Sequence, residues 1–321
     1  MSDMKSNKFF LLIVVIAVAL AGGLFLMNNR GANTSAPGEE KVIRMGVVST
    51  LGDSEKAIVL QENKSFTDYL AQHLSQFGIK RGEVVLTSSV KDMVDSFSQG
   101  KTDLYIDTPF PAFIMRNLTG AVPLAIRWRG GEERYRTIIF TKKTSGINTL
   151  DDLKGKVIAF QDDTSTSAYF LPKAELLKRG YKLREAKGPD DKVEPDEIGY
   201  YFAITDEKIF TDVSEGKAVA GAQNEGEFKK QAGGNILQYR AIFESIYVYR
   251  NVVMVRKDLP EGLKRGLRDL LVGLDKTTEG KTVLAQFRKT SKFTRVDSDA
   301  DKVFREIVEL SRYIEQEIIN P

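Results

Sequence analysis

The sequence predicts an α/β protein that folds as two lobes. Its 321 residues exceed what a single core of ordinary size needs. From Lys41 onward, short apolar strands alternate with amphipathic helices, which is typical of largely parallel sheets covered by helices on both faces. The alternation starts again at about residue 156 and leaves further strands and helices at the end of the chain. We therefore expect two sheets.

Before the first predicted strand, residues 9–27 form a run of 19 residues without charge. A helix of this length reaches roughly 28 Å at about 1.5 Å per residue, close to the thickness of a bilayer core. Lys5 and Lys8 on the leading side favour a cytoplasmic N-terminus and a body across the membrane. We expect an uncleaved N-terminal membrane anchor and a flexible linker, together residues 1–40. A signal peptide cleaved after Ala36 is the alternative.

The first lobe is predicted from strand and helix periodicities that follow one another. Residues 42–48 alternate the inward side chains Ile43, Met45 and Val47, as a strand does. Further strands are predicted at residues 83–87 and 103–106. Helical spacing occurs in two stripes between them, at Phe66, Leu70, Leu74 and Phe77 and at Val90, Met93, Val94 and Phe97.

The second lobe repeats the pattern after a β-rich segment at residues 135–142. Glycines follow both of its predicted helices, as expected at helix C-termini. The predicted strands are residues 156–160, 200–204 and 218–222, and the predicted helices are residues 167–179 and 206–215.

The end of the chain has β-rich segments and two apolar helical stripes, the longer one running from Val303 to Ile318. Because these elements follow a completed second unit, we expect them to return to the first lobe. This predicts two crossovers, near residues 136–140 and 246–252, about which the lobes could close on a ligand. The predicted lobes are residues 41–137 with 246–321, and residues 138–245.

Composition excludes several classes of function. The 47 basic and 44 acidic residues are mixed along the chain, and their formal net charge is +3, so no basic arm suits a nucleic-acid backbone. The chain has no cysteine and one histidine, His73. Thiolate metal sites, multi-histidine metal sites and catalytic dyads built on these residues are therefore not expected. We expect no nucleic-acid partner, no metal, no cofactor and no enzymatic activity.

The first candidate binding site lies between a predicted buried strand and a predicted helix. Here Ser165, Thr166 and Ser167 occupy a position where unpaired amides and the helix dipole favour negative charge. Ligands of α/β sheets also bind at the carboxyl ends of strands. One hydroxyl could simply cap the helix. Three adjacent hydroxyls predict instead that this turn holds a small oxyanion.

Four arginines and the only tryptophan lie in one short segment before the first crossover. Arg127, Trp128 and Tyr135 are candidate cleft residues, because guanidinium groups suit phosphoryl oxygens. The alternative is a solvated β-hairpin in which the arginines pair with neighbouring glutamates. Both interpretations stay open for Arg127 and Trp128, whereas the hairpin is favoured for Arg134 and Arg136.

At residues 146–160 the sequence reads GINTLDDLKGKVIAF, followed by Ser165-Thr166-Ser167 and then Leu171-Pro172. Over about residues 42–260 the chain resembles the phosphate/phosphite/phosphonate-binding proteins of ABC transporters. The resemblance implies the type 2 periplasmic binding protein fold, with two lobes and two hinge crossovers. It also implies that the Ser-Thr-Ser turn holds the oxyanion of the ligand and that an ABC permease is the partner.

Two departures from the family's pattern concern the rest of the site. Many members have Gly-Ser-His-Asp where this chain has Ile204-Thr205-Asp206-Glu207. Glu207 could meet an amine on the ligand, but capping of the next helix is the favoured interpretation. Where members have Gly-Pro and a nearby tyrosine, this chain has Asp107-Thr108-Pro109-Phe110. Asp107, Thr108 and Phe110 are predicted to contact the ligand from the first lobe.

Together these patterns predict an extracytoplasmic solute-binding protein, on the periplasmic or outer face of the membrane. It is expected to capture a small oxyanion of the phosphonate, phosphite or phosphate class between its lobes and to present it to an ABC importer. We expect a monomeric body tethered by the N-terminal helix. The alternative is a sensing or scaffold module of the same fold that signals to a membrane partner.

Overall fold

A computed structural model describes residues 41–49, 53–296 and 300–319 of the chain. The predicted membrane anchor and linker at residues 1–40 lie outside the described residues. Among the described residues, no helix combines the length and the apolar character needed to cross a membrane.

The first lobe is built on a six-stranded sheet with the strand order β14-β4-β13-β3-β1-β2. Its strands are β1 (Lys41–Val48), β2 (Ile79–Thr87), β3 (Leu104–Asp107), β4 (Val122–Arg129), β13 (Asn251–Val255) and β14 (Thr290–Arg295). The helices packed on this lobe are α1 (Asp53–His73), α2 (Val90–Ser98), α3 (Pro109–Thr119), α7 (Glu261–Gly273) and α8 (Thr278–Gln286). Burial of the predicted stripe Phe66, Leu70 and Leu74 fixes α1 against the sheet.

The second lobe is built on another six-stranded sheet, in the order β11-β6-β10-β7-β9-β8. Its strands are β6 (Thr137–Lys142), β7 (Lys156–Phe160), β8 (Lys182–Glu185), β9 (Glu197–Phe202), β10 (Gly221–Asn224) and β11 (Tyr239–Glu244). Its helices are α4 (Leu171–Lys178), α5 (Asp206–Glu215) and α6 (Glu225–Ala232). A π-helical turn, Thr166–Phe170, precedes α4.

The chain passes between the lobes twice, through a two-stranded antiparallel ribbon. Its strands are β5 (Arg134–Tyr135) and β12 (Val248–Tyr249), with Tyr135 opposite Val248. A short ribbon with few hydrogen bonds is a natural place for rotation between two larger sheets. The lobe limits predicted at residues 138 and 246 fall beside this ribbon.

Both sheets are mixed, whereas the sequence predicted largely parallel sheets. In the first sheet β1, β2 and β3 are parallel, but β13 is antiparallel to β3 and to β4, and β14 is antiparallel to β4. In the second sheet β6 is antiparallel to β10 and to β11. For β6 and β13 the physical reason is the double crossover, because each is the first strand after the ribbon and enters its sheet in the opposite direction.

The C-terminal helix α9 (Arg305–Ile319) does not pack on the first lobe alone. Phe304, Ile307 and Leu310 share one apolar cluster with Phe113 of the first lobe and with Leu171 of α4. Lys178 Nζ also donates to Glu309 Oε1 at 2.8 Å. The end of the chain therefore contacts both lobes.

Candidate functional site

A cavity of about 500 Å³ is lined by residues of both lobes. The first lobe contributes Ser49, Asp107 and Thr108, and the second lobe contributes the segment 161–165 that follows β7. In both sheets the lining residues come after strands, at their carboxyl ends. The predicted turn and the predicted first-lobe segment therefore meet at one cleft.

The second-lobe turn is largely occupied by hydrogen bonds of its own. Ser165 Oγ accepts from the Ala168 amide at 3.1 Å, so Ser165 is the N-cap of the π-helical turn. The Ser167 carbonyl accepts from Thr137 Oγ1 at 2.5 Å. Ser165 also lines the cleft cavity, whereas Ser167 is half-buried and does not. The three hydroxyls of the turn thus have different surroundings.

Thr166 joins the two lobes. Its side chain is buried, and its Oγ1 donates to Thr108 Oγ1 at 2.9 Å and accepts from the Phe110 amide at 2.9 Å. The Phe110 ring stacks on Phe170 with ring centroids 4.2 Å apart. These contacts cross from the first lobe to the second, so the lobes are in contact at the base of the cleft. Thr108 and Phe110 take part in this contact.

Asp107 ends β3 and lines the cleft. Its Oδ1 accepts from the Thr108 amide at 2.6 Å, and its Oδ2 accepts from the Tyr105 hydroxyl. Both donors come from neighbouring residues, which holds the carboxylate at the sheet edge. Asp107 therefore has a defined orientation that does not depend on a ligand.

Arg127 and Arg129 lie two residues apart on β4 and so project to the same side of the sheet. Asn251 on β13 is directly opposite Arg127. The Arg127 side chain is buried, with Nε donating to Thr290 Oγ1 at 2.7 Å and Nη2 donating to the Arg288 carbonyl at 2.8 Å. Its guanidinium also stacks on Phe287 at 4.7 Å. Arg127 holds the segment that leads into β14.

That segment contains two consecutive non-glycine residues at positive φ, Arg288 at 46° and Lys289 at 58°. Such a conformation costs of order 1–3 kcal/mol per residue and persists where its surroundings enforce it. Here the Arg127 guanidinium binds the Arg288 carbonyl, and the Gly130 amide donates to the Lys289 carbonyl at 2.8 Å. As a result Arg288 lines the cleft. The sequence analysis missed it, because no glycine or turn motif marks the position.

A second cavity, of about 150 Å³, adjoins the first one on the first-lobe side. Val48, Asp107, Thr108 and Arg288 line both cavities. We call the smaller cavity the arginine chamber. Its polar lining includes Arg127, Arg129, Arg288, Asn63, Asn251 and Asp107.

Two predicted residues lie elsewhere. Trp128 alternates to the other side of β4, where its Nε1 donates to Thr294 Oγ1 at 3.1 Å and Lys292 Nζ covers its ring at 3.9 Å. Trp128 lines neither cavity described above. Tyr135 is buried at the ribbon, with the Arg250 guanidinium 4.5 Å from its ring centroid. Burial raises the pKa of Tyr135 to about 12.

Glu207 is an exposed residue in the first turn of α5. Thr205 caps this helix, its Oγ1 accepting from the Lys208 amide at 3.1 Å, in line with the interpretation favoured from the sequence. Asp206 is more buried. Burial, together with Glu227 and Glu207, raises the pKa of Asp206 to about 6. The second lobe thus has a carboxyl group, and no histidine, at the start of α5, and neither Asp206 nor Glu207 lines the two cavities.

The remaining arginines of the 127–136 segment do not pair with its own glutamates in the way a solvated hairpin predicts. Arg136 binds Glu225 with two hydrogen bonds, Nε to Oε2 at 2.6 Å and Nη2 to Oε1 at 3.1 Å. The hydrogen bond from Arg136 lowers the pKa of Glu225 to about 2. The Arg134 guanidinium lies 4.1 Å from the ring centroid of Tyr249. Both side chains brace the ribbon and the adjoining helix.

In the part of the chain that the structure describes, no three His, Cys, Asp or Glu side chains are grouped as metal ligands. Three carboxylates, those of Asp107, Asp162 and Asp163, line the cleft cavity. The donors that gather there and in the arginine chamber are guanidiniums, hydroxyls and carboxamides. This set can bind an anion through charge-assisted hydrogen bonds.

Two α/β lobes joined by a ribbon, with a polar cleft between them, are the architecture of a two-lobed solute-binding protein. The model of the family described as "ABC transporter, phosphonate, periplasmic substrate-binding protein" matches residues 49–301. The chain belongs to this family. The resemblance stated from the sequence is thereby confirmed.

Individual relatives agree with this family. The chain is 27% identical over 168 residues to the phosphate-import protein PhnD of Mycolicibacterium smegmatis. That match covers 51% of this chain and 50% of the relative, so it spans about half the length of each.

Solved structures share the fold. XAC2383 from Xanthomonas citri, bound to ATP, superposes with a TM-score of 0.78 at 24% identity, covering 86% of this chain and 98% of that one. PhnD1 from Prochlorococcus marinus, in complex with methylphosphonate, gives a TM-score of 0.62 at 17% identity, with 86% and 99% coverage. Both confirm an α/β periplasmic binding protein fold of two lobes.

Proposed function

We propose that this protein captures a small oxyanion of the phosphonate, phosphite or phosphate class between its lobes and presents it to an ABC permease. The observation that carries the proposal is the cleft cavity of about 500 Å³, which is lined from both lobes and by several hydroxyls. It adjoins the arginine chamber, whose lining includes Arg127, Arg129 and Arg288. The family of periplasmic substrate-binding proteins supports the same conclusion. The named substrates of relatives, phosphate and methylphosphonate, fall in this class.

Capture follows from rotation about the ribbon of β5 and β12. In an open form, the Thr166 hydroxyl loses its first-lobe partners and the turn faces solvent. A ligand that touches both walls binds the closed form better than the open form, and this difference in affinity drives closure. The permease then distinguishes the closed form from the open one. The protein itself performs no chemistry in this scheme and acts as a monomer on the extracytoplasmic face, tethered by its N-terminal segment.

Binding of the predicted solute class is tested by calorimetric titration of the purified full-length chain. The probes are phosphate, phosphite, methylphosphonate, 2-aminoethylphosphonate and an alkyl sulfonate. We expect saturable binding of at least one phosphorus oxyanion, with a raised melting temperature in the same buffer. If none of the probes binds, capture of this solute class is excluded.

A sensing module is the second candidate, because the lobes share apolar contacts. Leu171 of α4 packs in one cluster with Ile307 and Leu310 of the C-terminal helix. Burial of this apolar surface favours the closed form even without ligand. A protein that stays closed suits signalling better than transport, which requires opening and closing for each ligand molecule. Small-angle scattering separates the two candidates. A transport protein contracts when it binds its anion, whereas an unchanged radius of gyration supports the sensing module.

A further inference from the structure

The arginine chamber holds positive charge that no carboxylate of the described residues neutralises by an ion pair. The Arg127 guanidinium donates its hydrogen bonds to Thr290 Oγ1 and to the Arg288 carbonyl. The guanidiniums of Arg129 and Arg288 make no hydrogen bond or ion pair with the described residues. Burial, with Arg288 and Arg129 nearby, lowers the pKa of Arg127 well below its usual value. Burial, with Arg250 and Arg288, lowers that of Arg129. Buried guanidiniums that repel one another and lack an ion pair would be stabilised by an anion bound between them.

The chamber also contains two hydrogen-bond acceptors without a donor. Asn63 is 1% exposed and Asn251 is 4% exposed, and the Oδ1 atom of each is buried without a partner among the described residues. The Nδ2 of Asn63 donates to the Val59 carbonyl at 2.6 Å, which fixes the direction of its carboxamide. A buried acceptor without a partner is costly, so the geometry favours a ligand that brings a hydrogen-bond donor.

The volume of the chamber and the chemistry of its lining limit the class of ligand that it can bind. The chamber volume of about 150 Å³ corresponds to roughly five water molecules at ~30 Å³ each, enough for an oxyanion of five heavy atoms. Near neutral pH essentially every phosphate ion keeps at least one hydroxyl proton and a phosphonate keeps one on part of its population, whereas sulfate keeps none. A phosphorus oxyanion therefore supplies negative oxygens to the arginines and an O–H donor to an asparagine oxygen.

The neighbouring cleft cavity has the opposite character. Asp107, Asp162 and Asp163 line it, against the two cations Lys91 and Arg288. The chamber lining has the carboxylate of Asp107 against the three guanidiniums of Arg127, Arg129 and Arg288. Negative charge is therefore better placed in the chamber than in the cleft cavity. The two cavities share the wall of Asp107, Thr108 and Arg288, so a ligand whose head lies in the chamber can extend its substituent into the larger cavity.

We propose that the arginine chamber is the subsite for the phosphoryl head group, with Arg129 and Arg288 holding its anionic oxygens and Asn63 Oδ1 accepting its hydroxyl proton. This inference rests on the proposed function, since it assigns the head group of the same ligand. It makes the chamber selective for phosphorus oxyanions over sulfate, because a site built around an O–H donor rejects an analogue that lacks it.

The first test compares phosphate and sulfate by calorimetry on the full-length chain at neutral pH. We expect the wild type to bind phosphate at least tenfold more tightly than sulfate. Arg129→Gln should weaken phosphate binding at least tenfold, because it removes a charge-assisted donor. The matched control is Arg265→Gln, an exposed arginine of α7 that lines neither cavity, and its affinity should equal that of the wild type.

The second test concerns Asn63 Oδ1, the proposed acceptor of the ligand's hydroxyl proton. Asn63→Ala should reduce the preference for phosphate over sulfate at least fivefold, and Asn63→Asp, which keeps an acceptor, should retain the preference while weakening both anions. Melting temperatures verify that each variant folds. If the wild type binds phosphate and Arg129→Gln binds it equally well, the chamber is not the head-group subsite, but the proposed function stands. Equal wild-type affinity for phosphate and sulfate overturns the role of Asn63. Failure of the wild type to bind any phosphorus oxyanion removes the proposed function as well.

Discussion

The two walls of the cleft differ in how their polar groups are satisfied. On the second-lobe wall, Ser165 caps its own helical turn and Thr166 is bonded to the first lobe. On the first-lobe wall, Arg129 and Arg288 make no ion pair with any described residue, and the Asn63 oxygen has no donor. Groups that the protein already satisfies contribute less to binding than groups that it leaves unsatisfied. The first-lobe wall therefore carries the stronger indication of a ligand.

The two walls also differ in how easily the sequence reveals them. The Ser-Thr-Ser turn can be recognised from the sequence, whereas the first-lobe wall, whose polar groups lack partners, cannot. The Ser-Thr-Ser turn is readable because its three hydroxyls are adjacent in sequence. The first-lobe wall collects Asn63 from a helix, Arg129 from one strand and Arg288 from a segment far along the chain. Only the sheet order brings these residues together.

The largest expected effect comes from Arg127, which holds the first-lobe wall in shape. Arg127→Ala removes two hydrogen bonds from a charged donor and the contact with Phe287. We expect a loss of about 3 kcal/mol in the free energy of unfolding, measured in urea. The control is Arg129→Ala on the same strand, which makes no such bonds and should cost under about 1 kcal/mol. Equal losses in the two variants would contradict a supporting role specific to Arg127.

The sequence predicts those elements of the two walls whose limits are set by neighbouring residues in the chain, and not those set by contacts with distant strands. Strand β7 and helix α5 match their predicted limits, residues 156–160 and 206–215, because a glycine bounds each locally, Gly155 before β7 and Gly216 after α5. Arg288 adopts a positive φ through contacts from β4, which no local pattern encodes. Asn63 sits within an ordinary amphipathic helix. The position of the turn was therefore predictable. Of the chamber residues, the sequence singled out Arg127, Asp107 and Thr108 but not Asn63, Arg129 or Arg288.

The next effect concerns the half-buried carboxyl group of Asp206, at the start of α5 in the second lobe. Burial and the nearby Glu227 and Glu207 raise the pKa of Asp206 from 3.8 to about 6. A raised carboxyl pKa favours the protonated folded form, so this stability is complete below about pH 4 and is lost as the pH rises through about 6. We expect Asp206→Asn to be more stable than the wild type by about 2 kcal/mol at pH 8, less than the full ~3 kcal/mol of such a shift because solvent reaches the side chain.

Unfolding curves of the wild type and Asp206→Asn from pH 4 to pH 8 provide the measurement. The advantage of the variant should shrink below pH 6 and vanish near pH 4. Glu215→Gln is the matched control, since this exposed carboxylate lies in the same helix and is not among the charges that raise the pKa of Asp206. A difference between the wild type and Asp206→Asn that stays constant with pH would show that the carboxyl group is not destabilised in the folded wall.

The smallest effect concerns the contact that joins the two walls. Thr166→Val keeps the shape of the side chain but removes the donor to Thr108 and the acceptor of the Phe110 amide. Because the closed form loses these bonds and the open form does not, we expect closure to weaken by about 1 kcal/mol, or roughly fivefold in affinity for 2-aminoethylphosphonate, whose substituent can reach the second-lobe wall. The control is Thr282→Val, whose hydroxyl donates to the Thr278 carbonyl within α8 and which lines neither cavity. If both variants bind this phosphonate equally, Thr166 does not link ligand binding to contact between the lobes, and the two walls act independently.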